Sequence, residues 1–163
     1  TDEEGGKALS FEGYQDLGDI VDLDQIDFTA FQSDASQLLI EDTSETPKEI
    51  KLRSNLLRSN CRVTNQPDWG DVFIYMNSTN VVDPKQLLRY IVSYRDECHF
   101  HEEICESVYK RLYDLYRPQE LAVTCLYARR GGIDINPTRV SNVDLLNMDL
   151  IDPEIVFTKT PRQ

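Results

Sequence analysis

The sequence predicts an α+β fold, in which an antiparallel four-stranded sheet is backed by two consecutive helices. Two observations predict this class. From residue 49 onward the pattern reads strand, strand, helix, helix, strand, strand, which is typical of helices layered on one face of an antiparallel sheet. The 163 residues, 40% hydrophobic and 28% charged, also suffice for one domain with its own core.

The first two strands flank a predicted turn. Residues 49–63 mix apolar and polar side chains and predict a long strand with a break near Ser54-Asn55. Residues 66–70 (Gln-Pro-Asp-Trp-Gly) predict a turn, because Pro67 fixes φ and the glycine relaxes the backbone after it. Residues 71–76 are β-branched and aromatic, and they predict the second strand.

Two helices follow in series. Asp83 is a favourable N-cap and Pro84 a favourable first residue, so a helix is predicted over 84–96. A second helix is predicted over 100–116, where apolar residues recur at helical spacing until Pro118 ends the pattern.

The last two strands surround a glycine turn. Residues 121–128 are apolar and predict a strand, and Gly131-Gly132 predicts a turn. Residues 133–135 are expected to begin the final strand, before Pro137.

Charge is distributed unevenly along the chain. Residues 1–48 carry 13 acidic and two basic side chains, and residues 49–163 carry 16 and 15, so the net charges are −11 and −1. We therefore expect an acidic, partly extended lead-in over 1–48 and a folded module over 49–163. The total charge of −12 argues against partners such as nucleic acid or an anionic membrane, which attract an excess of lysine and arginine.

Targeting features bear on the compartment of the protein, and the spacing of its cysteines bears on metal binding. No signal peptide opens the chain and no apolar run reaches the length of a membrane span, so we expect a cytoplasmic protein with reduced thiols. The four cysteines lack paired C-x-x-C spacing, and we expect no bound metal. The chain begins with Thr1 rather than Met, which indicates a processed or partial chain.

Cys61 is the first candidate for chemistry. It is flanked by polar residues, and a thiol becomes nucleophilic where a nearby cation or dipole stabilises the thiolate. Asp68, seven residues later, is near enough to exchange a proton with a reacting group. A lone cysteine is more often a small buried side chain, and spacing alone does not decide between the two interpretations.

The segment Cys98–Cys105 (Cys-His-Phe-His-Glu-Glu-Ile-Cys) is the densest in reactive residue types. Helical spacing predicts Cys98, Cys105 and either His101 or Glu102 on one face, which suits zinc. One helix seldom supplies a whole tetrahedral site, however. A His-Glu pair opening a helix can instead transfer protons and bind an amidine-like edge, because a carboxylate accepts two parallel N–H bonds.

The arginine-glycine segment 129–132 is the third candidate. Two guanidinium groups beside backbone without Cβ atoms suit a phosphate-bearing ligand. The plainer interpretation is a hairpin turn with solvated arginines.

Three segments carry a combined resemblance: residues 59–70 (Ser-Asn-Cys-Arg-Val-Thr-Asn-Gln-Pro-Asp-Trp-Gly), 100–102 (Phe-His-Glu) and 129–137 (Arg-Arg-Gly-Gly-Ile-Asp-Ile-Asn-Pro). In this order and spacing they resemble the QueF family, the NADPH-dependent 7-cyano-7-deazaguanine (preQ0) reductases of queuosine biosynthesis, a tRNA-modification pathway. The resemblance runs from about residue 49 to 142. It implies the tunnelling fold (T-fold), an antiparallel four-stranded sheet backed by two helices.

The resemblance also implies a chemical role for three residues. Cys61 takes the place of the nucleophile that attacks the nitrile carbon of preQ0 and forms a covalent thioimide. Asp68 takes the place of the proton donor, and His101 falls on a catalytic and substrate-contacting position. Two hydrides from two NADPH molecules would then complete the oxidoreductase reaction and give 7-aminomethyl-7-deazaguanine (preQ1).

Four further positions are implied to bind substrate or cofactor. Glu102, next to His101, would hold the purine edge, and Phe100 would stack near the base. Arg130 and Gly131 fall on an NADPH contact.

One departure from the family pattern concerns the NADPH motif. Single-module members carry a Glu-Ser-Lys-Ser-x-Lys-x-Tyr-like motif where residues 83–90 read Asp-Pro-Lys-Gln-Leu-Leu-Arg-Tyr. Two-module members keep that motif in their N-terminal half, and this chain looks like their C-terminal, catalytic half. The implied partners are the N-terminal module and a second copy, in a dimer of two-module chains. Cys105 stands four residues after His101 instead of the usual three, which argues against pairing of Cys61 with Cys105.

Two other functions remain open on the sequence. One is a zinc-dependent T-fold enzyme with cyclohydrolase-type chemistry at Cys98, His101 and Cys105. The other is a non-catalytic purine-binding or assembly module.

Overall fold

One five-stranded sheet, ordered β1-β2-β3-β4-β5, organises the computed structural model, which describes residues 12–146. The strands are β1 (Gln15–Asp16), β2 (Ile40–Asn60), β3 (Pro67–Val82), β4 (Glu120–Tyr127) and β5 (Thr138–Val140). Neighbours from β2 to β5 pair antiparallel, and the two-residue β1 joins β2 in parallel. The predicted α+β class with four antiparallel strands is confirmed, and β1 is an addition that the sequence pattern does not show.

Three α-helices accompany the sheet: α1 (Leu17–Ile20), α2 (Pro84–Val92) and α3 (His101–Tyr116). Short 3-10 helices cover Leu23–Gln25, Ala35–Gln37, Ser93–Asp96 and Val143–Leu145. The chain therefore has the predicted two helices in series between β3 and β4. None of the helices within residues 12–146 is long and apolar enough to cross a membrane.

Helices α2 and α3 begin near the predicted residues and α3 ends as predicted, but α2 ends at Val92, where a 3-10 helix continues to the predicted residue 96. The Asp83 carboxylate accepts hydrogen bonds from the backbone N–H groups of Lys85 (2.9 Å) and Gln86 (3.2 Å), and Pro84 is the first helical residue. At the end of α3, Arg117 adopts a left-handed φ of 47° before Pro118, which cannot continue a helix. Local capping chemistry thus sets these boundaries.

The first hairpin differs from its prediction. β2 begins at Ile40, before the expected residue 49, and the predicted break is a register shift between Ser54 and Leu57. The predicted turn at residues 66–70 is wrong, because Pro67 opens β3 and the chain reverses earlier, over 61–66. Proline is tolerated at the first residue of a strand, where a missing N–H costs little.

The final strand also begins later than predicted. Ile133 forms only an isolated bridge with Arg130, across the turn at Gly131-Gly132. β5 therefore begins at Thr138, after Pro137, instead of at residues 133–135. The segment between them connects the hairpin to the sheet without entering it.

Both long helices cover the same face of the sheet. Side chains alternate along a strand, so Val72, Ile74 and Met76 of β3 point into the main core together with the buried faces of α2 and α3. The opposite face carries a smaller cluster around Tyr75 and Ala122. The helix residues in the main core are Leu87, Leu88, Tyr90, Ile91, Val92, Ile104, Cys105, Val108, Leu112 and Tyr116.

Residues 12–39 pack on the module. Leu17 is fully buried, and Ile26 and Leu38 are 7% and 4% exposed, so each adds apolar surface to the main core. The backbone N–H of Asp96 donates to the carbonyl of Phe31 at 2.8 Å, just before α3. The division of the chain at residue 48 stays a prediction, but these apolar residues contact the same core as the sheet.

Candidate active site

The loop between β2 and β3 holds Cys61 in a tight turn. The Cys61 N–H donates to the Gln66 carbonyl at 2.8 Å, and the Cys61 carbonyl accepts the Asn65 N–H at 2.9 Å. Asn65 has a φ of 57°, a left-handed conformation that asparagine adopts more readily than most residues. We call residues 61–66 the thiol loop.

Hydrogen-bond donors in the thiol loop favour the Cys61 thiolate. The Thr64 hydroxyl contributes most, followed by the backbone N–H groups of Thr64 and Val63, and together they lower the pKa of Cys61 below its ordinary value. Desolvation opposes these hydrogen bonds with a smaller effect, and the positive charge of Arg130 makes the smallest contribution, which lowers the pKa of Cys61 further. Because the thiolate is the nucleophilic form, Cys61 has the surroundings of a reactive cysteine.

Asp68 lies almost completely buried near the start of β3, at 4% exposure. One carboxylate oxygen, Oδ1, accepts a hydrogen bond from Arg130 Nε at 2.5 Å, and the other, Oδ2, lies 3.2 Å from His101 Nε2. A carboxylate beside an imidazole can share one proton with it, held by either group. Asp68 and His101 therefore form a candidate proton-transfer pair.

His101 is fixed by the start of α3 and by an aromatic neighbour. Its ring stacks on Tyr127 of β4 with 3.9 Å between ring centres and 6° between ring planes. Gly70 of β3 makes room for Tyr127, because a Cβ atom at Gly70 would lie 3.0 Å from Tyr127 Cδ1. The His101 Nδ1 atom is buried without a hydrogen-bond partner among residues 12–146.

Arg130 joins Asp68 to the thiol loop. Besides its bond to Asp68, its guanidinium donates to Thr64 Oγ1 (3.1 Å), Gln66 Oε1 (3.2 Å) and the Gln66 carbonyl (3.1 Å). Arg129, the neighbouring residue, instead makes two hydrogen bonds of 2.6 and 2.7 Å to the Asp134 carboxylate. The two arginines that the sequence groups together therefore contact different parts of the molecule.

The glycine turn after Arg130 is an open backbone segment. Gly131 and Gly132 have φ values of 57° and 79°, the pattern of a two-residue hairpin turn with both central residues at positive φ. No atom would lie within 4 Å of a Cβ added at either glycine. The contact of Arg130 and Gly131 with NADPH stays a prediction. Gly131 is accessible to a ligand, whereas the Arg130 guanidinium already donates hydrogen bonds to residues of the site.

Phe100 and Glu102 lie at the outer edge of this site. Phe100 is 45% exposed, with the guanidinium of Arg62 5.4 Å from its ring centre. The Glu103 carboxylate accepts the backbone N–H of Phe100 at 2.8 Å and so caps α3. Glu102 is exposed on the first helical turn, and its predicted hold on the purine edge stays a prediction.

A cavity of about 330 Å³ opens beside the buried pair. Its lining includes Gln66, Pro67, Asp68, Arg130 and Gly131, so it runs from the thiol loop to the glycine turn. A volume of roughly 300 Å³ is the lower end for small-molecule sites. The cavity connects two of the three segments on which the family resemblance rests.

The cysteines proposed for zinc do not converge. Cys98 precedes α3, and its exposed Sγ lies 3.4 Å from Asn65 Oδ1. Cys105 is buried, and its Sγ donates to the carbonyls of Val123 (3.5 Å) and Pro137 (3.4 Å). The prediction that Cys98 shares a helix face with Cys105 is wrong, because the helix begins three residues after Cys98. Within residues 12–146, no group of three or more His, Cys, Asp or Glu side chains could hold a metal ion.

The structure thus brings together most of the predicted catalytic residues: Asp68 contacts His101 directly, and the thiol loop contacts Asp68 through Arg130. Sequence reasoning missed Thr64 and Tyr127. Thr64 could have been found, because a hydroxyl three residues after a candidate nucleophile is a natural donor to its sulfur. The stacking of Tyr127 on His101 has no signal in the spacing.

The fold, together with the contacts among the thiol loop, Asp68, His101 and Arg130, defines an α+β module with a candidate thiol-dependent active site. Residues 67–144 match the family model described as QueF-like protein. This part of the chain is similar to that family.

Two curated relatives show the extent of the similarity. A Psychrobacter cryohalolentis protein named NADPH-dependent 7-cyano-7-deazaguanine reductase is 49% identical over 117 residues, which cover 69% of this chain and 41% of the relative. A Paraburkholderia phytofirmans protein with the same name is 44% identical over 133 residues, covering 82% and 47%. The chain therefore spans less than half the length of these relatives.

A solved structure shares the fold. The apo form of an archaeosine synthase, described as QueF-Like, matches with a TM-score of 0.52 and 19% identity, covering 60% of this chain and 95% of the other. At this identity the match shows the fold alone.

Proposed function

We propose that this chain is the catalytic part of an enzyme that reduces preQ0 to preQ1 with NADPH. The observation that carries the proposal is that Arg130 contacts both the thiol loop, whose donors stabilise the Cys61 thiolate, and the buried Asp68 that pairs with His101. Support also comes from relatives that are 44–49% identical and named NADPH-dependent 7-cyano-7-deazaguanine reductase.

The first chemical step would use the chain's own residues. The Cys61 sulfur adds to the nitrile carbon, so one S–C bond forms, one π bond of the nitrile breaks, and the nitrogen takes a proton from the pair of Asp68 and His101. The product is a thioimide, in which the carbon is a better hydride acceptor than in a nitrile. Full conversion to the amine consumes two hydrides and two protons in all, and NADPH would supply the hydrides.

Substrate binding would use the start of α3. We propose that Glu102 accepts two N–H bonds from the aminopyrimidinone edge of preQ0 and that Phe100 contacts the base. Both residues are exposed next to the buried His101, so a ligand can reach them from solvent while its nitrile points toward the thiol loop.

The NADPH site fits the described residues only in part. Residues 83–90, which replace the family's NADPH motif, lie at the start of α2, where Leu87, Leu88 and Tyr90 are buried in the main core. The open backbone at Gly131 could approach a phosphate. We propose that a second module, such as the N-terminal half of the two-module relatives, supplies the rest, and that pairs of such chains form the homodimer.

Intact-mass spectrometry after incubation with preQ0, without NADPH, tests the proposal. We expect a species heavier by one preQ0, absent in Cys61→Ala and retained in Cys98→Ala, the matched control at the other accessible cysteine. No adduct on the unaltered chain, or an adduct that persists in Cys61→Ala, would overturn the assignment.

Turnover tests the need for a second module. With preQ0 and NADPH present, we expect NADPH oxidation by a full-length two-module relative and none by the 163-residue chain. Sustained oxidation by the chain alone would show that its own residues complete the NADPH site.

A further inference from the structure

We propose that Arg130 is a positioning residue that clamps Asp68 to the thiol loop. The inference rests on the proposed function in one respect, namely that Cys61 is the nucleophile. It concerns a residue that the family resemblance places at the cofactor instead.

The hydrogen bonds of Arg130 leave its guanidinium little capacity for another ligand. All three nitrogens donate, in four hydrogen bonds shared among Asp68, Thr64 and Gln66. A guanidinium is planar and has five N–H donors, so it can connect groups on different segments in one fixed geometry, which an ammonium cannot do. These bonds tie the glycine hairpin to residues more than 60 positions earlier in the chain.

Charge gives a second reason. Asp68 is 4% exposed and the Arg130 side chain 28% exposed, so the carboxylate is taken out of water beside one cation. Burying a carboxylate costs free energy unless it is paired and hydrogen-bonded. Arg130 therefore offsets the cost of burying the Asp68 carboxylate and orients it toward His101.

The third reason is that Arg130 donates to Thr64, a residue of the thiol loop that itself donates to Cys61. The Thr64 hydroxyl accepts from Arg130 Nη1 at 3.1 Å and is also the main donor to the Cys61 sulfur. The Thr64 oxygen also accepts the backbone N–H of Gln66 at 3.4 Å, and a hydroxyl whose oxygen accepts hydrogen bonds keeps its own hydrogen free to donate to the sulfur. Arg130 thus acts on Cys61 through Thr64 as well as through its charge.

Site-resolved alkylation with iodoacetamide across pH tests the clamp without substrate or cofactor. We compare the unaltered chain with Arg130→Met, Arg130→Lys and the control Arg53→Met, which breaks a 3.2 Å ion pair to Asp16 elsewhere on the sheet. In Arg130→Met we expect the pH midpoint of Cys61 alkylation to rise by about one unit, with a rate about tenfold lower at neutral pH. Arg53→Met should leave the midpoint unchanged.

Formation of the preQ0 adduct completes the test. Arg130→Lys keeps the charge but not the fork, so we expect it to recover only part of the midpoint shift while adduct formation stays slow, about tenfold below the unaltered chain. An unchanged midpoint together with an unchanged adduct rate in Arg130→Met, or in Arg130→Lys if the methionine variant does not fold, would overturn the clamp. If the unaltered chain forms no adduct but the midpoint still shifts in Arg130→Met, the clamp stands and the proposed function fails.

Discussion

Cys61 and Cys125 carry the same side chain in opposite surroundings. Cys61 follows β2 in an accessible loop, where a hydroxyl and two backbone N–H groups lower its pKa. Cys125 is fully buried in β4, and its hydrogen bond with Cys105 together with desolvation raises its pKa well above the ordinary value. The first thiol is prepared to ionise, and the second behaves as a small apolar side chain.

This contrast shows what makes a cysteine a candidate nucleophile. Burial alone removes water and favours the neutral thiol, so a core position gives a stable and unreactive group. The thiol loop instead supplies donors aimed at the sulfur, and Arg130 links those donors to a carboxylate and an imidazole. Substitutions near Cys61 should therefore change its reactivity, and substitutions near Cys125 should change the stability of the fold.

The largest expected effect comes from Asp68→Asn. This change removes the carboxyl group that contacts Arg130 and His101, and loss of a positioned acid–base group typically slows such chemistry about 10²- to 10⁴-fold. We expect preQ0 adduct formation to slow within this range, as measured by mass spectrometry over time. Asp16→Asn, which breaks the Arg53 ion pair, is the matched control and should keep the normal rate. A normal rate in Asp68→Asn would remove Asp68 from the chemistry.

A smaller effect is expected for Glu102→Gln, and it should be on preQ0 affinity. This variant separates substrate binding from the reaction of Cys61. An amide presents a donor where the proposed ligand also presents a donor, and an unpaired N–H costs about 1–3 kcal/mol, or roughly ten- to a hundredfold in affinity. Calorimetry on the Cys61→Ala background, where no covalent bond forms, should show this weaker preQ0 binding. Equal affinity in both proteins would show that Glu102 does not hold the purine edge.

The smallest effect is expected on the core side of the comparison, in Cys125→Ala. Removing the buried sulfur leaves a small cavity and deprives Cys105 of its neighbour, and we expect the free energy of unfolding to fall by about 1–2 kcal/mol. Urea unfolding measures this loss. The rate of preQ0 adduct formation should stay within about twofold of normal, because ordinary core changes act on stability and not on chemistry. A large loss of adduct rate would mean that the two thiol environments are coupled.

Local chemistry explains which parts of the fold could be predicted. The Asp83-Pro84 cap and Pro118 are local signals, so the sequence predicts the start of α2 and the end of α3, whereas α2 ends at Val92 without such a signal. The first part of β2 is polar and exposed and pairs with β3 mainly through backbone, so it lacks the alternation that marks a strand. The place of Pro67 is not predictable from the sequence for a related reason, since whether a proline follows a turn or forms one depends on the partner strand.

The candidate site likewise contains residues that the sequence predicts and others that only the folded chain reveals. Cys61, Asp68 and His101 could be singled out because the family resemblance quotes their motifs. The role of Arg130 could not, because Asp68 and Arg130 are 62 residues apart and only the folded sheet places them in contact. The buried state of Cys105, and its separation from Cys98, likewise depends on where α3 begins and which face it turns toward β4.

The central claim is that the thiol loop, and not exposure alone, makes Cys61 the reactive cysteine. Site-resolved alkylation of all four cysteines across pH, in the native chain and in urea, tests it most directly. We predict that Cys61 reacts in the native chain with a pH midpoint below its midpoint in urea, whereas Cys105 and Cys125 react only after unfolding. A native Cys61 midpoint equal to or above the urea value, or native reaction of Cys125 at the rate of Cys61, would contradict the account.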